Sequence, residues 1–101
     1  FIVVNHFPLT FPEEWKFERT HELYNLVPVR NWILQTPQIR LYLHGHIHLN
    51  WCHRLPRDSA PELLLVNSAA SCSKLHTGQS SSFHQIVLED SNVKVNTILL
   101  N

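Results

Sequence analysis

Hydrophobic positions along the chain fall into short blocks whose period changes. "FIVVN", residues 1–5, is β-branched and apolar on both faces, which predicts a buried strand in a sheet covered on both sides. "HFPLTFPEEWKFER" follows, with Pro8 and Pro12 and no clean period; it predicts a loop with at most one helical turn. From Thr20 the spacing turns helical, with Leu23, Leu26 and Val27 at i, i+3 and i+4. Pro28 interrupts, and since proline is tolerated in a first turn it is expected to open a second helix. Val29, Trp32 and Ile33 repeat the spacing until Pro37 stops it, because a residue before proline is pushed out of helical angles. "IRLYLH" is a strand that runs into Gly45. "RLPRDSAP" reads as a polar turn region, "ELLLVNS" as a short apolar strand and "SAASCSKLHTGQSS" as a small-residue loop. "FHQIVLE" and "VKVNTILL" flank "DSN" and predict a hairpin with Val93, Val95 and Leu99 on one face. The order is strand, helix, strand, strand, then two strands with a turn. The first strand–helix–strand unit should be a right-handed parallel crossover.

Composition narrows the picture. The 101 residues fit one domain or a piece of one, and a chain of this length can bury roughly two thirds of its unfolded surface. With 44% hydrophobic and 16% charged residues it is globular rather than disordered. Formal net charge is zero, so general nucleic-acid binding has no electrostatic support. No apolar run approaches the ~20 residues of a membrane span. No signal peptide is visible, and a cytoplasmic setting is the expectation. Cys52 and Cys72 are expected to stay as free buried thiols rather than to pair. The chain has no methionine and opens directly on a strand, which suggests a processed chain or a fragment.

Eight histidines are the outlier, and three of them, His44, His46 and His48, crowd into "LYLHGHIHLNW". Alternate side chains of a strand share a face, so His46 and His48 are neighbours if the backbone stays extended. Two such imidazoles can bind one divalent ion or reach two ions set close together. Gly45 lets the chain turn without a β-carbon clash. Ligands gather at the carboxyl ends of strands in open α/β sheets, and this stretch lies at such an end. "VVNHFPL" is also a strand end followed by a histidine. Parallel strands in one sheet would bring His6 to the same edge as His46 and His48, which is a metal-site geometry.

A strand ending in His6-Phe7-Pro8, a helix, then a strand ending in Gly45-His46-Ile47-His48 resembles the calcineurin-like metallophosphoesterases. "VNSAAS" and the closing hairpin resemble the segments that follow in that family. The likeness spans residues 1–101 but covers only the C-terminal portion of the family's domain. It implies an α/β fold, a partial metallophosphoesterase-type sandwich, whose mixed β-sheet holds the strand–helix–strand unit and is followed by the C-terminal β-hairpin. It implies two divalent metal ions (Mn, Fe or Zn), with His6 and His46 on one and His48 on the other. Gly45 and Asn67 could stand behind these ligands, as could His44 if it is not simply packed in its strand. The family's Asp-x-His, Gly-Asp and Gly-Asn-His motifs do not occur here; they belong to the missing N-terminal half, a required partner. The implied chemistry is hydrolysis of phosphate mono- or diesters, with a metal-activated water attacking phosphorus in line. This half alone is expected to be a poor catalyst and carries no catalytic residue of its own. Two rivals stand beside it: a non-catalytic scaffold with the same fold, and a stand-alone histidine-rich metal-binding module.

Blander roles are assigned elsewhere. His44 is expected to be a packed strand histidine, and His21, His53, His76 and His84 to be ordinary. Trp15, Phe17, Trp32 and Trp51 are expected in the core rather than in a substrate cleft. Glu13 and Glu14 form a solvated face, and Ser80–Ser82 lack a Gly-x-Ser-x-Gly frame. Other metal motifs fit worse: a His-x-His-x-Asp-His pattern lacks its acid after Leu49, a zinc ribbon lacks cysteine pairs, and a cupin-like site lacks a glutamate between 49 and 55.

Overall fold

The structure, a computed structural model, describes residues 1–11, 23–47, 50–68, 82–90 and 92–100. Among them are one helix and six strands. They are β1 (Ile2–Val4), α1 (Leu26–Leu34), β2 (Leu41–His44), β3 (Trp51–Arg57), β4 (Ala60–Asn67), β5 (Ser82–Glu89) and β6 (Asn92–Leu99). The chain is a mixed α/β protein, mostly strands. A four-stranded sheet has the order β1-β2-β4-β3, and β5 and β6 form a separate antiparallel hairpin. β1, β2 and β4 run parallel, while β3 runs antiparallel to β4 at the edge.

Register fixes which side chains share a face. Leu41 pairs with Leu64 and Leu43 with Val66, so these four point one way. Tyr42 pairs with Leu65 and His44 with Asn67, and these point the other way. The second face packs under α1 in a core of Leu9, Leu26, Ile33, Ile39, Tyr42, Leu63 and Leu65. The first face packs Leu41, Leu64 and Val66 against Ile86, Val93 and Val95 of the hairpin. The parallel run "LLLV" in β4 is buried on both faces, which is why it reads as continuous rather than alternating.

The strand, the helix, the strand into Gly45, and the hairpin stand where the pattern predicts them, but β1 is an edge strand with Ile2 and Val4 exposed, not a strand covered on both faces. Three more expectations are corrected. A single helix replaces the expected pair. Val29 N–H donates to Asn25 O to open it, and Pro28 sits in the first turn, where a missing N–H costs nothing. Leu23 and Tyr24 lie before it, and residues 20–22 lie outside the described residues. The inward stripe is Leu26, Val29 and Ile33, so Trp32 is 59% exposed instead of in the core. Thr36 Oγ1 donates to Trp32 O at 2.6 Å just before Pro37, which ends the helix as expected.

The "RLPRDSAP" stretch is not simply a turn. Its first half completes β3, only Asp58 and Ser59 turn, and β4 begins at Ala60. An edge strand tolerates polar residues and proline, and the register shifts between Leu55 and Arg57, around Pro56. All but Ser68 of the loop assigned to residues 68–81 and part of that assigned to 6–19 lie outside the described residues, as do Glu13, Glu14, Trp15, Phe17, His21, Cys72 and His76.

Candidate metal centre

The ends of β1 and β2 are joined by backbone bonds that carry the two histidine-bearing turns together. Asn5 N–H donates to Leu43 O at 2.9 Å, and Gly45 N–H to His6 O at 3.2 Å. Asn5 Oδ1 in turn accepts from Phe7 N–H, shaping the turn at His6. Tyr42 O–H donates to Phe7 O at 2.7 Å, anchoring that turn from beneath. Burial pushes the Tyr42 hydroxyl up to about 12, so it remains a donor throughout the ordinary pH range.

The second turn is tighter. Ile47 N–H donates to Gly45 O at 2.8 Å, and the residue between them, His46, has φ 68°. That is a γ-turn of the positive-φ kind, which is rare and strained for a residue with a β-carbon. The expectation that Gly45 supplies the unusual backbone is therefore corrected: histidine itself holds the left-handed position. Asn67, fully buried at the end of β4, donates from Nδ2 to Ile47 O at 2.7 Å and clamps the turn to the sheet.

These constraints bring His6 and His46 into contact. His46 Nδ1 lies 2.9 Å from His6 Nε2, with ring centroids 4.8 Å apart and planes at 77°. Without a cation one of these nitrogens carries a proton and the other accepts it. An ion in place of that proton, about 2.1 Å from each nitrogen, would see them roughly 90° apart, an angle that suits six-coordinate ions better than tetrahedral zinc. The pair thus fits a shared metal in distance and donor type. Among the described residues no group of three or more histidine, cysteine or acidic side chains surrounds it. His48, expected to reach a second ion, lies outside the described residues.

His44 behaves as a packed strand residue. It is 6% exposed, lies 5.7 Å from the Tyr42 ring and 6.0 Å from Trp51, and donates from Nδ1 to Gly45 O at 3.3 Å. Its Nε2 is buried and accepts no hydrogen bond from the described residues. Burial, opposed weakly by the Gly45 carbonyl, lowers its pKa to about 4, so the ring is neutral at pH 7. Trp51 is half-buried against the helix-side core and stacks on the His53 ring at 5.6 Å.

A second polar cluster was not anticipated. Cys52, expected to be buried, is free and exposed, because edge strand β3 turns it toward the hairpin side. His84 lies between Cys52 Sγ, 3.8 Å from Nε2, and Ser68 Oγ, 2.7 Å from Nδ1. The three residues come from β3, β5 and the residue after β4, and no local spacing announces them.

Comparison of the chain with protein-family models, with curated proteins and with solved structures finds no match. Among the described residues no helix is long and apolar enough to cross a membrane.

Proposed function

We propose that the chain supplies His6, His46 and His48 to a dinuclear metal site that hydrolyses phosphate mono- or diesters, in the manner of the calcineurin-like phosphoesterases it resembles. The observation that carries this reading is the 2.9 Å meeting of His6 and His46 from two parallel strand ends. Strain held at a histidine, where glycine would sit free of cost, is a second support, since such outliers concentrate at working sites. On this reading the layered sheet and hairpin form part of a metallophosphoesterase-type sandwich. The acidic ligands come from a segment bearing the Asp-x-His, Gly-Asp and Gly-Asn-His motifs.

Divalent ions, when bound, polarise phosphoryl oxygens and make water a nucleophile near neutral pH. The residues of this chain have simpler tasks. His6 and His46 present uncharged nitrogens, so the site keeps the positive charge that an anionic ester needs. Asn67 and the γ-turn hold the His46 ring in place before an ion arrives, which lowers the ordering cost of binding.

The test has two stages. A titration of the chain with Mn²⁺ should show binding that weakens at least ~10-fold in His6→Ala and in His46→Ala. Joined to a segment carrying the acidic motifs, the chain should support manganese-dependent hydrolysis of an aryl phosphate, lost at least ~100-fold in His46→Ala. Equal metal affinity in all three proteins would remove the site. Intact metal binding with no hydrolysis in the joined protein would favour the scaffold or the independent metal-binding module.

A further inference from the structure

We propose that Cys52, His84 and Ser68 form a reactive-thiol site, independent of the histidine edge, at which Cys52 exchanges with small anionic organic disulfides. The three side chains form a relay. Ser68 Oγ is 2.7 Å from His84 Nδ1, and His84 Nε2 is 3.8 Å from Cys52 Sγ, within reach of a thiol contact. With Nδ1–H donated to the serine oxygen, the Nε2 lone pair faces the thiol and is placed to take its proton. Burial lowers the His84 pKa, which keeps that lone pair available at neutral pH.

The relay opens on a cavity of about 400 Å³ between the sheet edge and the hairpin. Leu99 gives it apolar wall, and Asn50 and Thr97 give it polar wall. Asn50 Nδ2 donates to Ser82 Oγ, tying the residue before β3 to the start of β5. This volume holds a small ligand in contact with the sulfur. Burial raises the Cys52 pKa, so attack depends on His84 taking the proton; the charge of Arg54, two residues along β3 on the same face, opposes only part of that rise. The same guanidinium favours an electrophile that carries negative charge.

The reaction is an exchange. The Cys52 S–H proton passes to His84 Nε2 as the sulfur attacks one sulfur of the incoming disulfide. A new S–S bond joins Cys52 to half of the reagent. The old S–S bond breaks, the other half leaves as a thiolate, and His84 passes the proton on to water. Cys52 is oxidised and the leaving sulfur is reduced, so no further oxidant is needed.

The test is thiol exchange with dithiobisnitrobenzoate in a Cys72→Ser background, followed by the released thiolate and by the mass of the adduct on Cys52. The native chain should react at least ~10-fold faster than the same chain unfolded in urea. His84→Gln should bring the rate down to the unfolded value with the circular dichroism unchanged, and Ser68→Ala should fall between. A native rate no faster than the unfolded one overturns the proposal outright, whether or not the variants fold. An undiminished rate in folded His84→Gln overturns the relay. The neutral reagent dithiodipyridine should show a smaller native advantage, and Arg54→Gln should erase the difference; equal advantages for the two reagents would remove the preference for anions.

Discussion

The two faces of the four-stranded sheet are built from one set of strands yet solve different problems. The face under α1 buries seven hydrophobic side chains, Leu9, Leu26, Ile33, Ile39, Tyr42, Leu63 and Leu65. The face under the hairpin buries three, Leu41, Leu64 and Val66, and its hairpin partners stay half-exposed. A closely packed face can hold a polar group in one geometry, because its neighbours leave no room for another. That is where Tyr42, His44 and Asn67 lie; Tyr42 anchors the turn at His6, and Asn67 clamps the turn that aims His46. The looser face leaves room for a cavity, and there the Cys52–His84–Ser68 cluster is open to reagents.

This contrast can be broken by graded substitution. The largest effect is expected on the helix side. Leu65→Ala should cost about 3 kcal/mol, in the range for emptying a buried leucine site, read as a fall in the urea midpoint. The pH dependence of the same face comes next. His44 has its pKa lowered from 6.5 to about 4 in the folded chain, so between those values the unfolded chain binds more protons. Its stabilising contribution is complete above pH 6.5 and is lost as pH falls toward 4, a loss of up to about 3 kcal/mol. His84, also lowered, adds in the same direction. A unfolding free energy that did not decline from pH 7 to pH 4.5 would contradict the burial of these rings.

Asn67→Ala should cost about 2 kcal/mol, since it strands the Ile47 carbonyl, and it should also weaken Mn²⁺ binding by freeing the His46 turn. Affinity unchanged in a folded Asn67→Ala protein would show that the turn holds itself. Tyr42→Phe removes one hydrogen bond to Phe7 O and should cost about 1 kcal/mol. On the hairpin side, Lys94→Ala should fall within ~0.5 kcal/mol of the parent, because its ion pair with Glu89 is exposed and 3.5 Å long. Thermal melts that ranked Lys94→Ala with Leu65→Ala would erase the distinction between the faces.

Sequence pattern carried much of this architecture. The apolar "ELLLV" block and the two runs around "DSN" each announce a strand by patterns that side-chain burial imposes, whereas the β-branched opening announces one by its residue types alone, since Phe1, Ile2 and Val4 are exposed. The pairing of His6 with His46 was legible because both follow strand ends, and parallel strands put their carboxyl ends on one edge. β3 was hidden because an edge strand with one solvated side need not be apolar, and Pro56 falls where the ladder is already interrupted. The left-handed backbone at His46 was hidden because a neighbouring glycine is the ordinary carrier of such a conformation. Cys52, Ser68 and His84 meet only through tertiary packing, and nothing in their separation of 16 and 32 positions predicts it.

The backbone at residue 46 has a consequence for anyone altering the chain. At φ 68° a β-carbon is a burden, and glycine alone carries none. Replacing His46 by glycine should therefore make the fold sturdier while deleting the ring on which the proposed chemistry depends. Robustness and usefulness pull in opposite directions at that one carbon, and a melting curve set beside a manganese titration of His46→Gly would measure both.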